Sequence, residues 1–254
     1  MAGTKTVLIT GGGTGIGQGI AIEFAKAGYD VAVSYCGSRE GAEKTVSEVE
    51  RCGQTGLAIK ADVSRLEQID GMFRRFEEKF SHLDVFVNNA GITEKSDFLH
   101  TTPGMFDKIC NIDYRGAFFC IQRAAQLMAD LKTKGSIILI SSNNAVAHFA
   151  DVSVYASAKA AAEKMSRHAA IELARYGIRI NVIEPGWTDT GASRLDAKEE
   201  TYYKVPLKKW ATLEEIGKTA VFLASDAAAS ITGAAVLVDN GAHLVSDKRE
   251  KYGF

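Results

Sequence analysis

Three side chains in the second half of the sequence have the types and spacing for proton chemistry: Ser142, Tyr155 and Lys159. Tyr155 and Lys159 stand four residues apart in Tyr155-Ala-Ser-Ala-Lys159, and an Ala-rich stretch free of Pro and Gly runs on from there to Gly177. That composition predicts a helix with Gly177 at its C-terminal cap. Residues at i and i+4 share a helix face, so the phenol and the ammonium point the same way, one turn apart. An isolated phenol, with a pKa of about 10, exchanges protons poorly near neutrality, and a cation held beside it favours the phenolate. Ile137-Ile-Leu-Ile140 reads as a short buried strand ending at Ser141-Ser142, where a hydroxyl could hold a substrate C–O group against that phenol. Tyr and Lys at this spacing also occur on helices with no part in catalysis, so the surrounding elements have to decide.

The strongest of those elements opens the chain. Thr6-Val-Leu-Ile-Thr10 predicts a strand, Gly11-Gly-Gly-Thr-Gly-Ile-Gly17 a tight turn, Gln18 to Ala27 a helix, and Tyr29 to Tyr35 a second strand. A glycine-rich turn between strand and helix suits a pyrophosphate, because the backbone can approach closely and the helix N-terminus offers free N–H groups. No Gly-Lys-Ser/Thr follows, so the turn is not a nucleoside-triphosphate loop. Further strands are predicted at Gly56–Asp62, Leu83–Asn88, Arg179–Ile183 and Ala234–Asp239, with helices at 41–51, 66–80, 103–110, 111–131 and 213–224. This alternation predicts an α/β fold: one Rossmann-type, doubly wound parallel sheet of about seven strands with helices on both faces. No linker or repeat interrupts it, so residues 1–254 read as a single dinucleotide-binding and catalytic domain. The polar stretch from Thr188 to about Tyr203, within 188–210, reads as a lid over the substrate.

Composition removes several other functions. The 254 residues are 46% hydrophobic and 24% charged with a formal net charge of −1, which gives no sign of a nucleic-acid or anionic-membrane partner. No apolar run approaches the roughly 18 residues of a membrane span, and the N-terminus runs directly into a strand rather than a signal peptide. Cys36, Cys52, Cys110 and Cys120 have no metal-ligand spacing with one another or with the histidines, so free thiols, no metal and a cytoplasmic setting are expected.

Taken together, these motifs resemble the short-chain dehydrogenase/reductase family across nearly the whole chain: Thr10-Gly-Gly-Gly-Thr-Gly-Ile-Gly17, Asp62-Val63, Asn88-Asn-Ala-Gly91, Asn111, Ser142, Tyr155-x-x-x-Lys159 and Pro185-Gly186-x-x-x-Thr190. The resemblance implies that Tyr155 is the general acid/base, that Lys159 acidifies it and binds nicotinamide ribose, and that Ser142 polarises the substrate oxygen. It implies that Asn111 bends its helix and anchors a relay water near the lysine. Gly11, Thr14, Gly15, Ile16 and Gly17 would hold the pyrophosphate, Asp62 and Val63 the adenine, and Asn89, Ala90 and Gly91 the adenosine ribose side. Pro185, Gly186, Thr188 and Thr190 would face the nicotinamide and pyrophosphate. The family also implies a homo-oligomer, a dimer or tetramer.

Members that prefer NAD carry an acid at the end of the second strand, where this chain has Tyr35 followed by Cys36-Gly-Ser38-Arg39. Without a carboxylate to repel a 2′-phosphate, and with Ser38 and Arg39 available to bind it, NADP(H) is favoured and NAD(H) is the alternative. Thr14 stands where many NADP members have a basic residue. For the small-molecule substrate, Asn144, His148, Glu184 and Trp187 would put hydrogen-bonding groups and a stacking face around the reacting carbon, which suits a sugar or polyol. The alternatives are a 3-oxoacyl-carrier-protein-type reductase and a non-catalytic dinucleotide-binding protein. An intact Ser142, Tyr155 and Lys159 argue against the last.

Overall fold

A computed structural model describes residues 3–191 and 204–244 of the chain. The seven strands that form the sheet are β1 (Thr6–Ile9), β2 (Asp30–Tyr35), β3 (Gly56–Lys60), β4 (Val85–Asn88), β5 (Ser136–Ile140), β6 (Arg179–Pro185) and, last in the chain, β9 (Ala235–Val238). Their order across the sheet is β3-β2-β1-β4-β5-β6-β9, and every pairing is parallel. The chain reverses its direction of travel between β1 and β4, so a crevice opens outside the carboxyl ends of those two strands.

Strand alternation divides the core into two layers. Val7, Ile9, Val31, Val33, Val85, Val87, Ile138 and Ile183 pack against α1 (Gly15–Lys26), α2 (Arg39–Arg51) and α7 (Leu213–Ala224). Leu8, Ala32, Phe86, Ile137, Leu139, Ile180 and Val182 face α3 (Leu66–Glu77), α5 (Ala117–Asp130) and α6 (Ser153–Leu173). Strands covered on both faces read as continuous apolar runs, as these do. α6 gives way to a single 3-10 turn, Ala174–Tyr176, and the chain leaves through Gly177 at φ +72°, the left-handed conformation expected of its cap.

One expectation needs correction. The predicted helix over 111–131 is α-helical only from Ala117; Cys110–Gly116, between α4 (Pro103–Ile109) and α5, is a π-helical turn. Its extra residue per turn rotates the side chains that follow and brings Gly116 against the Val63 carbonyl, where a Cβ would sit 2.6 Å from the oxygen. The stretch taken as a lid is anchored where it is described: β7 (Thr188–Asp189) pairs in parallel with β8 (Ala211–Thr212). The rest of that expected lid, residues 192–203, lies outside the described residues.

Candidate active site

The glycine turn is shaped by close approach. Gly11 has φ +67° and Gly15 φ +54°, and a Cβ at Gly17 would lie 2.4 Å from the Gly11 carbonyl oxygen, so the start of α1 can pack against the turn only without side chains. Thr10, absent from the expected site, fastens β4 to β1. Its Oγ1 accepts from the N–H groups of Asn89 and Ala90, both at 3.0 Å, while Asn89 Nδ2 donates to the carbonyls of Thr10 (2.9 Å) and Gly11 (3.1 Å). Asn89 therefore holds the turn in shape as well as lining the crevice.

That crevice, of about 500 Å³, is lined by Gly11, Thr14, Gly15 and Ile16 of the glycine turn and by Tyr35, Asp62 and Val63. Asn89, Ala90, Gly91 and Thr190 also line it, as do Tyr155 and Lys159. A crevice lined by glycines at a helix N-terminus and by a tyrosine–lysine pair has the chemistry to hold a dinucleotide, whose pyrophosphate the free N–H groups would bind. Asp62 is oriented by its neighbours: Oδ1 accepts from the backbone and hydroxyl of Ser64 at 2.9 and 2.7 Å.

At the reacting end, Lys159 is 5% exposed and its Nζ lies 5.7 Å from the Tyr155 ring centre, on the same face of α6. Nζ donates to the Ile140 carbonyl at the end of β5 (3.2 Å) and sits 3.3 Å from Oδ1 of Asp113. Here the structure departs from the expectation for Asn111. That residue is exposed and lines an outer groove with Arg65, Lys108 and Arg115, while the π turn directs Asp113 inward to the lysine. No motif marked Asp113, because its inward aim depends on the π turn. Burial pushes the Asp113 carboxyl above its ordinary range, and the Lys159 ammonium and the Ile92 N–H act against that rise.

Ser142 is buried at the N-cap of a 3-10 turn, and Asn144 donates to its Oγ from both its backbone N–H (3.2 Å) and Nδ2 (3.0 Å). With those lone pairs engaged, the Ser142 hydroxyl is left to donate its own proton outward. Trp187 stands edge-on to Phe149 at 5.7 Å, joining the two loops that flank this end; Phe149 was not singled out in the sequence. His148 is exposed beside it. Glu184 does not take the place expected for a substrate ligand. Alternation along β6 turns it with Ile180 and Val182 under α6, where it is 2% exposed. Burial first, then the hydrogen bond and charge of Glu163, push its carboxyl up to about 8. Glu163 in turn accepts from the Ser141 hydroxyl at 2.5 Å. Spacing could have found this residue, because Tyr155, Lys159, Glu163 and Arg167 recur every four residues along one helix face.

The remaining expected residues lie at the margins. Thr188 Oγ1 donates to the Gly186 carbonyl at 3.0 Å, and a Cβ at Gly186 would come within 2.5 Å of Asp239, so the Pro185-Gly186 turn presses against the end of β9. Ser38 is the N-cap residue of α2, and Arg39, its side chain 76% exposed, pairs through Nε with Glu43 at 2.7 Å. Cys36 lines the crevice beside Tyr35. The four cysteines are free, and among the described residues no cluster of His, Cys, Asp and Glu has the arrangement of a metal site.

The fold and this crevice define a dinucleotide-binding oxidoreductase. A family model described as enoyl-(acyl carrier protein) reductase matches residues 11–243. The chain is 36% identical over 244 residues to the 3-oxoacyl-[acyl-carrier-protein] reductase FabG of Staphylococcus aureus, covering 95% of this chain and 99% of that one. It is also 36% identical over 245 residues to the L-rhamnose 1-dehydrogenase (NAD(P)(+)) of a Sphingomonas species, covering 94% and 96%. The angucycline C-6 ketoreductase LanV, solved with bound NADP, superposes with a TM-score of 0.88 at 31% identity, covering 94% and 96%. The chain belongs to the short-chain dehydrogenase/reductase family. It is an oxidoreductase of CH–OH groups that uses a nicotinamide dinucleotide, NAD(P).

Proposed function

We propose that the chain interconverts a secondary alcohol and a ketone or lactone on a sugar- or polyol-like molecule, with Tyr155 as general acid/base. The observation that carries this reading is the shared crevice, which is lined by both the glycine turn and the Tyr155–Lys159 pair. Nicotinamide bound there supplies the hydride acceptor or donor. In the oxidising direction Tyr155 Oη takes the hydroxyl proton of the substrate while the carbinol C–H leaves as hydride, and the reverse step returns both. Lys159 stabilises the phenolate, and the Ser142 hydroxyl donates to the substrate oxygen.

A polar substrate is supported by the Asn144–Ser142 contacts, by the aromatic wall of Trp187 and Phe149, and by similarity to a rhamnose dehydrogenase. Buried polar groups left unpaired by an apolar substrate cost about 1–3 kcal/mol each. Similarity to FabG supports a second reading, the same chemistry on a 3-oxoacyl thioester. For the cofactor we favour NADP(H): Tyr35 and Cys36, not a carboxylate, edge the crevice at the end of β2. Arg39 can serve a 2′-phosphate only by leaving Glu43, an exposed partner that solvent already screens. Assembly as a homo-oligomer through α5 and α6 is supported by exposed Phe118 and Ile171 on those helices. No helix among the described residues is long and apolar enough to cross a membrane; a cytoplasmic setting remains part of this proposal.

The test is a panel of aldoses, polyols and 3-oxoacyl thioesters, each tried with NADP and NAD and followed by nicotinamide absorbance. Turnover of an aldose at least tenfold more efficient than of any thioester is expected. The reverse order would replace the first reading with the second.

A further inference from the structure

The two strands that end beneath the reacting groups carry polar side chains at the same level. Ser141 follows β5 and Glu184 lies in β6, each one step beyond the paired residues Ile140 and Ile183, and the Ser141 N–H donates to the Ile183 carbonyl at 2.8 Å. Strand alternation turns both side chains under α6, where they meet Glu163. The Ser141 hydroxyl donates to Glu163 Oε1 at 2.5 Å, and Glu184 reaches the same carboxylate through a proton of its own. All three residues are buried, and Glu184 Oε1 has no donor among the described residues, so that proton is what ties the Glu184 carboxyl down. Three other charged groups stand around the pair. Arg167 brings Nη2 to 3.7 Å from Glu163 Oε2, Asp239 lies just past β9 with His243 Nδ1 at 2.9 Å, and Lys159 is one turn before Glu163 on α6. Ser142 is the residue after Ser141, and Pro185-Gly186 and Trp187 follow Glu184. One shared proton therefore joins the supports of the substrate hydroxyl partner and of the aromatic wall to the helix that carries Tyr155 and Lys159.

We propose that Glu163 and Glu184, sharing one proton, are positioning residues that lock the ends of β5 and β6 to α6 and so hold Ser142 in register with Tyr155, a lock that opens when the proton leaves. Two carboxylates in one buried site repel each other once both are charged. Burial and the neighbouring Glu163 push the Glu184 carboxyl up to about 8, so the lock is closed near neutrality and opens on the alkaline side. The charge of Asp239 adds to the repulsion, and Arg167 then draws Glu163 away from Ser141. For alcohol oxidation the consequence is a second limb in the pH profile. Turnover rises on the acid side as the Tyr155 phenol loses its proton, and falls on the alkaline side as the lock opens. The fall belongs to turnover rather than to dinucleotide binding, because Glu163 and Glu184 lie behind Ser141 and are not among the residues lining the crevice.

The proposal rests on the role given to Tyr155, and the experiment lets either fail alone. Oxidation of an alcohol accepted in the substrate panel is followed from about pH 6 to about pH 10, with kcat and KM separated and protein fluorescence checking the fold at each pH. In the unsubstituted protein kcat is expected to fall about tenfold per pH unit beyond a midpoint near that of Glu184, while KM for the dinucleotide changes by less than about threefold. Glu184→Gln has no proton to lose and its amide still donates to Glu163, so its kcat is expected to stay level over the alkaline range. Infrared spectra of the two ligand-free proteins near neutrality are expected to differ by one protonated carboxylic acid C=O band, which the unsubstituted protein loses at the alkaline end. A falling limb that persists in Glu184→Gln would overturn the positioning role, as would a limb that tracks unfolding in the fluorescence. Equal carboxylic acid bands in the two proteins would remove the shared proton itself. Intact turnover in Tyr155→Phe would instead remove the reading on which the lock depends. Should Glu184→Gln fail to fold, Glu184→Ala removes the same proton and the same repulsion. A level alkaline profile is expected of it, and a persistent limb would count against the lock.

Discussion

Replacing Glu184 by Gln tests the buried carboxyl pair beneath α6. Glu184 is 2% exposed on β6 and faces Glu163, and burial followed by that hydrogen bond and charge pushes it from an ordinary 4.5 up to about 8. Between those two values the folded protein keeps a proton that the unfolded chain has released, so stability is greatest at the acid end of the window and falls as pH rises through it. Each unit of that window is worth about 1.4 kcal/mol. Of the interval from pH 6 to pH 9, only the part below about 8 contributes fully, which makes the expected loss on the order of 2–3 kcal/mol. Gln has no proton to lose and its amide can still donate to Glu163, so Glu184→Gln escapes this loss. Urea denaturation at pH 6 and pH 9, followed by tryptophan fluorescence, reads the effect directly. The variant should gain about 2 kcal/mol on the unsubstituted protein between the two conditions. A difference between the two proteins that stays constant with pH, within about 0.5 kcal/mol, would refute the shared proton.

Two further outcomes follow from the crevice. Arg39→Ala should raise KM for NADP(H) several-fold more than KM for NAD(H); an unchanged ratio would show that Arg39 stays with Glu43 and takes no part in choosing the cofactor. Thr10→Val removes the acceptor for the Asn89 and Ala90 N–H groups, so urea denaturation should show a loss of about 2 kcal/mol. Dinucleotide affinity, read by quenching of protein fluorescence, should weaken with it. Full stability in Thr10→Val would mean that the Thr10 hydroxyl contributes nothing to holding β4 against the glycine turn.

The sheet was legible because its strands are buried on both faces: Thr6–Ile9, Val85–Asn88 and Ser136–Ile140 are unbroken runs of buried residues, a pattern that survives any tertiary context. The helix over Leu213–Ala224 was equally plain, with Thr212 and Glu215 forming a capping box at its start. The shared face of Tyr155 and Lys159 followed from a helical period alone. What the sequence did not show depends on geometry that no period encodes. The π turn moves the inward position from Asn111 to Asp113, two residues on in the chain and on the opposite side of the turn. Glu184 reads as a polar residue beside Pro185-Gly186, but strand alternation sends it under α6 to a second carboxylate. The tie made by Thr10 is invisible because it joins residues about eighty positions apart. Arg39 follows the end of β2 by four residues, and its i+4 neighbour Glu43, one turn on, is the partner a phosphate would have to displace.

The account as a whole depends on Tyr155 exchanging a proton beside a bound nicotinamide, and Tyr155→Phe isolates that one oxygen. Turnover of an accepted alcohol and the dissociation constant of NADPH should be measured on the same preparation. The expected result is a fall in turnover of about 10²- to 10⁴-fold, the usual contribution of a general acid or base, with NADPH affinity changed by less than about threefold. Turnover within tenfold of the unsubstituted protein, at intact cofactor affinity, would contradict the claim.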